Sequence, residues 1–153
     1  MRDLPLRPLP IAALLAALAG AGAGAPVRHA GEWRTQTGGA APRLSCYPSD
    51  QTLDQAYLLR VASRLPGASC KAASLSTAGP LTSFSIACTV GGKAMTASGT
   101  VTDTGPDAYV SRTRTHGGAL KMLAGLAVPF PDTDTTTVGR RLGPCRPGDH
   151  VVN

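Results

Sequence analysis

The four cysteines are the residues of this chain whose type and number most clearly predict chemistry. Cys46, Cys70, Cys88 and Cys145 are widely separated, and none belongs to a Cys-x2–4-Cys pair. Zinc sites usually contain at least one such close pair of ligands, so the spacing argues against a metal site. In an exported chain an even number of cysteines indicates disulfides. We therefore expect two disulfides, for which four cysteines allow three pairings.

The predicted strand register selects one of these pairings. Residues 69–76 and 82–90 are typical of two strands joined by a turn centred on Gly79. In that register Cys70 faces Cys88. Two small residues face two large ones: Ala72 faces Ile86, and Ser74 faces Phe84. Directly opposed cysteines of an antiparallel pair are close enough to bridge. We therefore predict the disulfides Cys70–Cys88 and Cys46–Cys145.

No combination of histidine, serine and glycine predicts an active site. His29, His116 and His150 each fit a solvated residue of a linker, a strand end or a tail. Catalytic triads need a nucleophile, a base and an orienting group, and no serine stands in a Gly-x-Ser-x-Gly elbow. The glycine-rich stretches lack the Lys-Ser/Thr of a phosphate-binding loop. We predict no catalytic residue, no cofactor-binding residue and no cofactor.

The paired carboxylates have a simpler interpretation than acid–base chemistry. Asp103 with Asp107, and Asp132 with Asp134, lie in predicted turns, where aspartate is favoured because it caps the backbone. The segment 132–134 could hold calcium weakly, but it lacks the glycine and the final glutamate of a calcium loop. We predict no metal site.

The elements that position these residues are one helix and several strands. Leu53, Tyr57, Val61 and Leu65 recur at helical spacing and predict an amphipathic helix over 51–64, capped by Ser49 or Asp50 and ended by Pro66-Gly67. Extended segments are predicted at 31–37, 43–47, 69–76, 82–90, 94–101, 108–115 and 134–142. The fold class is α+β and mostly β: a curved antiparallel meander with one helix, stapled by two disulfides.

Some segments need a more specific interpretation. The polar alternation of 108–115 favours an edge or a widely solvated strand, and Arg140-Arg141 reads as a charged flank that keeps an edge soluble. Residues 117–132 are ambiguous, with 120–126 open to a short helix. With aromatic residues at only 4% the core is thin. We place Trp33, Phe84, Ile86 and Val101 in it, and Trp33 is a core anchor rather than a ligand platform.

The first residues are typical of an export signal. Arg2 and Arg7 precede an apolar run over 9–19, which is too short for a membrane span, and small residues follow. We expect a signal peptide over 1–23, a linker over 24–30, one domain over 31–145 and a flexible tail over 146–153; an uncleaved anchor is the alternative. The expected location is periplasmic or secreted, without a transmembrane span.

Charge and aromatic content exclude a nucleic-acid partner. The chain carries a net charge of +6, and loss of the signal peptide would lower it to +5. Nucleic-acid surfaces need clustered basic residues with aromatic residues between them, and the sequence has neither. The expected partner is an apolar ligand or an envelope component.

The order of motifs resembles one family. A signal peptide precedes Gly31-Glu32-Trp33, Cys70 and Cys88 follow a helix, and the segment 140–145 reads Arg-Arg-Leu-Gly-Pro-Cys. This is similar to the small exported bacterial proteins of the domain of unknown function 3617, which share a Gly-x-Trp opening, spaced cysteines and a Leu-Gly-x-Cys ending. The resemblance implies an exported, disulfide-bonded, β-rich domain and brings no activity. We expect a non-enzymatic binding or envelope-associated module; a small secreted hydrolase or a hydrolase inhibitor is the alternative.

Overall fold

The computed structural model describes residues 25–121 and 127–152, so the predicted signal peptide lies outside the described residues. Short strands and one helix open the described chain: β1 Val27–Arg28, β2 Gly31–Thr37, β3 Arg43–Tyr47, β4 Gln51–Thr52 and α1 Gln55–Ala62. Longer strands follow: β5 Ala68–Ala78, β6 Leu81–Val90, β7 Lys93–Gly105, β8 Ala108–Gly117, β9 Ala119–Lys121, β10 Ala127–Pro129 and β11 Thr133–Gly143. The predicted fold class, mostly antiparallel β with one helix, is confirmed.

Seven of these strands form one antiparallel sheet in the order β3-β2-β11-β8-β7-β6-β5. Strands β5 to β8 follow one another as a meander, and β11 returns between β8 and β2. The predicted edge position of 108–115 is therefore wrong, because β8 pairs with β7 on one side and β11 on the other. The edge assigned to Arg140-Arg141 is wrong for the same reason, since β11 pairs with both β8 and β2.

The β5–β6 hairpin carries a disulfide and a register shift. Cys70 lies opposite Cys88, as predicted, and the two are bonded; Cys46–Cys145 forms the second predicted disulfide. Between Cys70 and the turn the predicted pairs are wrong by one residue: Ala73 faces Ile86 and Leu75 faces Phe84. The two-residue turn at 79–80 sets this offset, and an irregularity between residues 70 and 72 brings the cysteines back into register.

The helix is shorter than predicted. It begins at Gln55, because the carboxylate of Asp54 accepts a hydrogen bond from the backbone N–H of Tyr57 at 2.7 Å and caps the first turn. The predicted caps, Ser49 and Asp50, lie too early in the chain. Residues 51–52 instead form β4, which pairs with β1 at 27–28. The segment expected to be a linker therefore contributes a paired strand.

Other segments also differ from the sequence-based expectation. Within 117–132, β9 and β10 pair as antiparallel strands. Residues 120–121, which were open to a short helix, belong to β9, and residues 122–126 lie outside the described residues. The tail expected to be flexible is held along β3: the N–H of Cys46 donates to the carbonyl of His150, and the N–H of Val152 donates to the carbonyl of Cys46. These bonds cover part of an exposed sheet edge.

The core lies between α1 and one side of the sheet, which we call the inner face. Its buried cluster comprises Leu58 of the helix and four residues of β6 and β7: Ile86, Cys88, Val90 and Met95. At the other end of the inner face Trp33 packs against Tyr109, with ring centres 5.8 Å apart. The two clusters are separated along the strands, and the space between them is only partly filled.

Candidate functional site

A cleft of about 390 Å³ lies between α1 and the inner face of the sheet. Its helix side is mainly apolar and is formed by Leu53, Tyr57, Leu58, Val61, Ala62 and Leu65. The sheet side includes apolar residues of β6 and β7: Phe84, Ile86, Cys88, Met95, Ala97 and Val101. Ligand cavities in proteins commonly have volumes of about 300–1,000 Å³ and apolar linings, so this cleft is a candidate binding site.

Small side chains on β8 keep the cleft open. Ser111, Thr113 and Thr115 alternate along this strand and point to the cleft. Gly99 lies opposite Thr113 in the adjacent strand, and a Cβ atom there would overlap the backbone carbonyl of Arg112. The alternation predicted a solvated strand; in the structure these residues are half-buried and form the cleft wall.

Arg28 places a positive charge at one end of the cleft. Its guanidinium carbon lies 4.4 Å from the centre of the Tyr109 ring, 5.3 Å from that of Tyr47 and 5.6 Å from that of Trp33. An arginine within about 6 Å of a ring centre is attracted to the π face. Burial lowers the pKa of Arg28, but the neighbouring tyrosines, led by Tyr109, raise it above its ordinary value, so the guanidinium stays charged.

A second cavity, of about 290 Å³, adjoins the cleft at this point. Arg28, Leu53, Val101 and Tyr109 line both spaces. Asp103 lines only the smaller one, where burial raises the pKa of its carboxyl group and the charge of Arg28 opposes that rise. Arg28 therefore lies where an apolar cleft meets a more polar cavity.

The guanidinium of Arg28 keeps free donors. One nitrogen donates to the hydroxyl of Tyr47 at 3.1 Å. Within the described ranges no carboxylate lies within 4 Å of this group. Among the described residues, every fully buried side-chain nitrogen or oxygen has a hydrogen-bond partner. The unpaired N–H groups of Arg28 are therefore not fully buried. Arginine has five N–H donors, and Arg28 makes one side-chain hydrogen bond among the described residues, so it has donors left for a ligand.

Tyr109 and Trp33 hold Arg28 in place from the sheet. Tyr109 is buried, and Gly139 on β11 leaves the room that its ring occupies. Burial also raises the pKa of Tyr109, while Arg28 opposes that rise, so the phenol is neutral at ordinary pH. The indole N–H of Trp33 donates to the carbonyl of His29 at 2.8 Å and so fixes the residue next to Arg28.

The structure places the predicted core residues around this cleft. Trp33 is 2% exposed and Ile86 is 7% exposed, whereas Phe84 and Val101 are half-buried. Ile86, Phe84 and Val101 line the larger space, and Trp33 lines the smaller one. Sequence reasoning missed Arg28, because residues 24–30 carry no strand pattern; one arginine between Val27 and His29 was the only signal.

The histidines and paired carboxylates lie outside the cleft lining. Nδ1 of His116 is 2.6 Å from a carboxylate oxygen of Asp132, but these side chains are 71% and 63% exposed. Arg114 makes a two-bond ion pair with Asp134, which lowers the pKa of that carboxyl group. Acid–base groups of active sites usually lie in clefts, and both of these ion pairs are exposed to solvent.

In the described ranges, one group of potential metal ligands lies close together: the ligand atoms of Cys46, Cys145 and Asp149 are within 4.8 Å of one another. The two sulfur atoms are bonded to each other, so neither is available as a thiolate ligand.

No helix of the described residues is long and apolar enough to cross a membrane.

Comparison with known proteins gives a family and no activity. The sequence model of a family described as "Protein of unknown function (DUF3617)" matches residues 28–145. No curated protein and no solved structure matches the chain. The matched segment begins at Arg28 and ends at Cys145.

Proposed function

Since this chain belongs to the DUF3617 family of proteins of unknown function, we propose from its own geometry that it is an exported, non-enzymatic binding module. The observation that carries this proposal is the helix–sheet cleft of about 390 Å³ with its mainly apolar lining. A small apolar ligand or an apolar part of an envelope component would be held there. Burial of its surface would supply the binding energy.

Export is supported by two features. The first residues carry the charge, apolar run and small residues of a signal peptide. The two disulfides suit an oxidising compartment outside the cytoplasm. We propose cleavage after Ala23 and a periplasmic or secreted location. Intact-mass measurement of the protein recovered from periplasm or medium tests this, and a full-length mass in the membrane fraction would contradict it.

Binding is tested by titrating the mature protein with neutral alcohols from hexanol to tetradecanol. Trp33 is the one tryptophan of the chain and lines the adjoining cavity, so its fluorescence reports on this region. Thermal shift provides a second measurement. We expect saturable binding with stabilisation by the longer alcohols. A complete lack of saturable binding would contradict the proposed function.

A matched pair of variants locates the binding. Thr113 on β8 lines the cleft, whereas Thr136 on β11 is exposed on the opposite side of the sheet. Thr113→Phe fills part of the cleft and should weaken alcohol binding. Thr136→Phe adds the same ring away from the cleft and should leave binding unchanged. Equal alcohol binding by both variants would show that the binding site lies outside the cleft.

A second function, a small secreted hydrolase, draws on one observation. The 2.6 Å contact between His116 and Asp132 has the form of a base and its orienting carboxylate. Assay of the mature protein on p-nitrophenyl esters tests it, with His116→Gln as the variant. Hydrolysis that depends on His116 would favour this function over the binding module.

A further inference from the structure

We propose that the cleft selects a single-chain amphiphile with a carboxylate, and that Arg28 binds the carboxylate while the cleft holds the apolar chain. This inference rests on the proposed binding function and names the chemical class of its ligand. The juxtaposition that carries it is a cation with open donors at one end of a mainly apolar cleft.

The position of Arg28 fixes where the charged group would lie. Val101 and Tyr109 line the cleft beside Arg28, whereas Met95 lines its far end on the same strand as Val101. Six positions of an extended strand separate Met95 from Val101, which corresponds to a cleft length of about 20 Å. A ligand bound at Arg28 would therefore run its chain along β7 towards Met95 and the buried cluster.

The size of the cleft limits the chain. A volume of about 390 Å³ holds roughly a dozen water-sized groups of about 30 Å³ each. An unbranched chain of about ten carbon atoms fits that space. The mainly apolar lining offers such a chain hydrophobic contacts, with hydroxyl groups along the β8 side.

The charge of Arg28 favours an anion at this end. Arg28 is half-buried, and its guanidinium contacts three aromatic faces and one phenol hydroxyl, with no carboxylate of the described residues within 4 Å. The planar guanidinium fork matches a carboxylate, which it can bind with two parallel hydrogen bonds. The Asp103 carboxylate acts on this charge only from beyond 4 Å, so a bound carboxylate would be the first counter-charge in direct contact with Arg28.

The test compares three ligands with the same ten-carbon chain at pH 8: decanoate, 1-decanol and decyltrimethylammonium. Isothermal titration and Trp33 fluorescence give the dissociation constants. A charge-assisted hydrogen bond is strong enough to favour the acid over the alcohol by about tenfold or more. We expect decanoate to bind most tightly and the cation most weakly.

Two variants assign that preference to one residue. Arg28→Met keeps an unbranched side chain without the charge. It should reduce the preference for decanoate over decanol from about tenfold in the wild-type protein to less than about threefold. Arg112→Met removes an exposed arginine on the other side of the sheet and should leave the preference unchanged. A preference that survives in Arg28→Met would overturn the inference.

The possible results separate the two proposals. Equal binding of decanoate and decanol by the wild-type protein, or tighter binding of the cation, overturns the inference and leaves the binding function intact. Lack of binding by all three ligands contradicts the binding function itself. If Arg28→Met does not fold, the order of the three ligands on the wild-type protein still decides the inference.

Discussion

The guanidinium carbon of Arg28 lies 4.4 Å from the centre of the Tyr109 ring. This contact joins β1, from the start of the described chain, to β8 at the centre of the sheet. Gly139, on the strand next to β8, leaves the space that the Tyr109 ring fills. The charged end of the cleft therefore depends on three distant parts of the sequence, and a change at any of them should disturb it.

Gly139→Ala tests this dependence. A Cβ atom at position 139 would overlap the buried ring of Tyr109, so the ring must move or the strands must separate. Overpacking of this kind costs typically about 1–3 kcal/mol in the free energy of unfolding. We expect a loss in that range by urea denaturation, together with a changed near-UV signal from the Trp33–Tyr109 pair.

Gly39→Ala is the matched control for Gly139→Ala. Within the described structure no atom lies within 4 Å of a Cβ built at Gly39, and its backbone conformation is open to other residues. Its free energy of unfolding should stay within about 0.5 kcal/mol of the wild-type value. If the two variants were equally stable, the packing of Tyr109 on Gly139 would not be tight.

Trp33→Ala should be among the most destabilising substitutions in the domain. The side chain is 2% exposed, packs on Tyr109 and donates its indole N–H to the carbonyl of His29. Removing a buried tryptophan costs about 3–5 kcal/mol. Far-UV circular dichroism in urea measures the loss, with the exposed Leu44→Ala as control. A change below about 1 kcal/mol would revive the view of Trp33 as a ligand platform.

The disulfides should differ in their effect on stability. Cys46–Cys145 closes a loop with a sequence separation of 99 residues, and Cys70–Cys88 closes one of 18. In the chain-entropy model the longer loop contributes about 4.7 kcal/mol and the shorter about 3 kcal/mol. We expect the double variant Cys46→Ser/Cys145→Ser to lose more stability than Cys70→Ser/Cys88→Ser. The opposite order would show that loop entropy does not govern either bond.

The sequence predicted the bounds of several strands well because these depend on local patterns. Residues 31–37 and 43–47 form strands with the predicted bounds, and Cys70 lies opposite Cys88. The pairs nearer the turn were wrong by one residue, because the turn is centred between residues 79 and 80 and not on Gly79; an irregularity near Cys70 then restores the cysteine pair. Alternation alone fixes a face, and it does not fix a register across such an irregularity.

The charged end of the cleft could not be predicted from the same patterns. β1 has two residues, too few for a period, and it forms because β4 pairs with it. Arg28 is then placed on Tyr47 and Tyr109 by tertiary contacts between segments far apart in the chain. The hydroxyl-bearing residues of β8 resembled a solvated strand for a related reason: a cleft wall and a solvent-exposed face both suit small polar side chains.

The stability of the protein should respond to Asp103 in a pH-dependent way. Although Asp103 is an exposed residue, partial burial of its carboxyl group raises the pKa above the unfolded value, and the charge of Arg28 opposes this rise only in part. The folded state therefore binds more protons than the unfolded state between the two pKa values, so this group lowers stability as the pH rises through that interval. Asp103→Asn removes the penalty and should be more stable than wild type at pH 7.5.

Asp134→Asn is the control of opposite sign for that experiment. The hydrogen bonds from Arg114 lower the pKa of Asp134, so its contribution to stability is present at neutral pH and is lost as the pH falls through the lowered pKa. Urea denaturation at pH 7.5 should show Asp103→Asn above and Asp134→Asn below the wild-type free energy of unfolding. Both differences should shrink towards pH 3. A stabilising effect of Asp103→Asn that grows with acidity would show that burial does not govern the Asp103 carboxyl group.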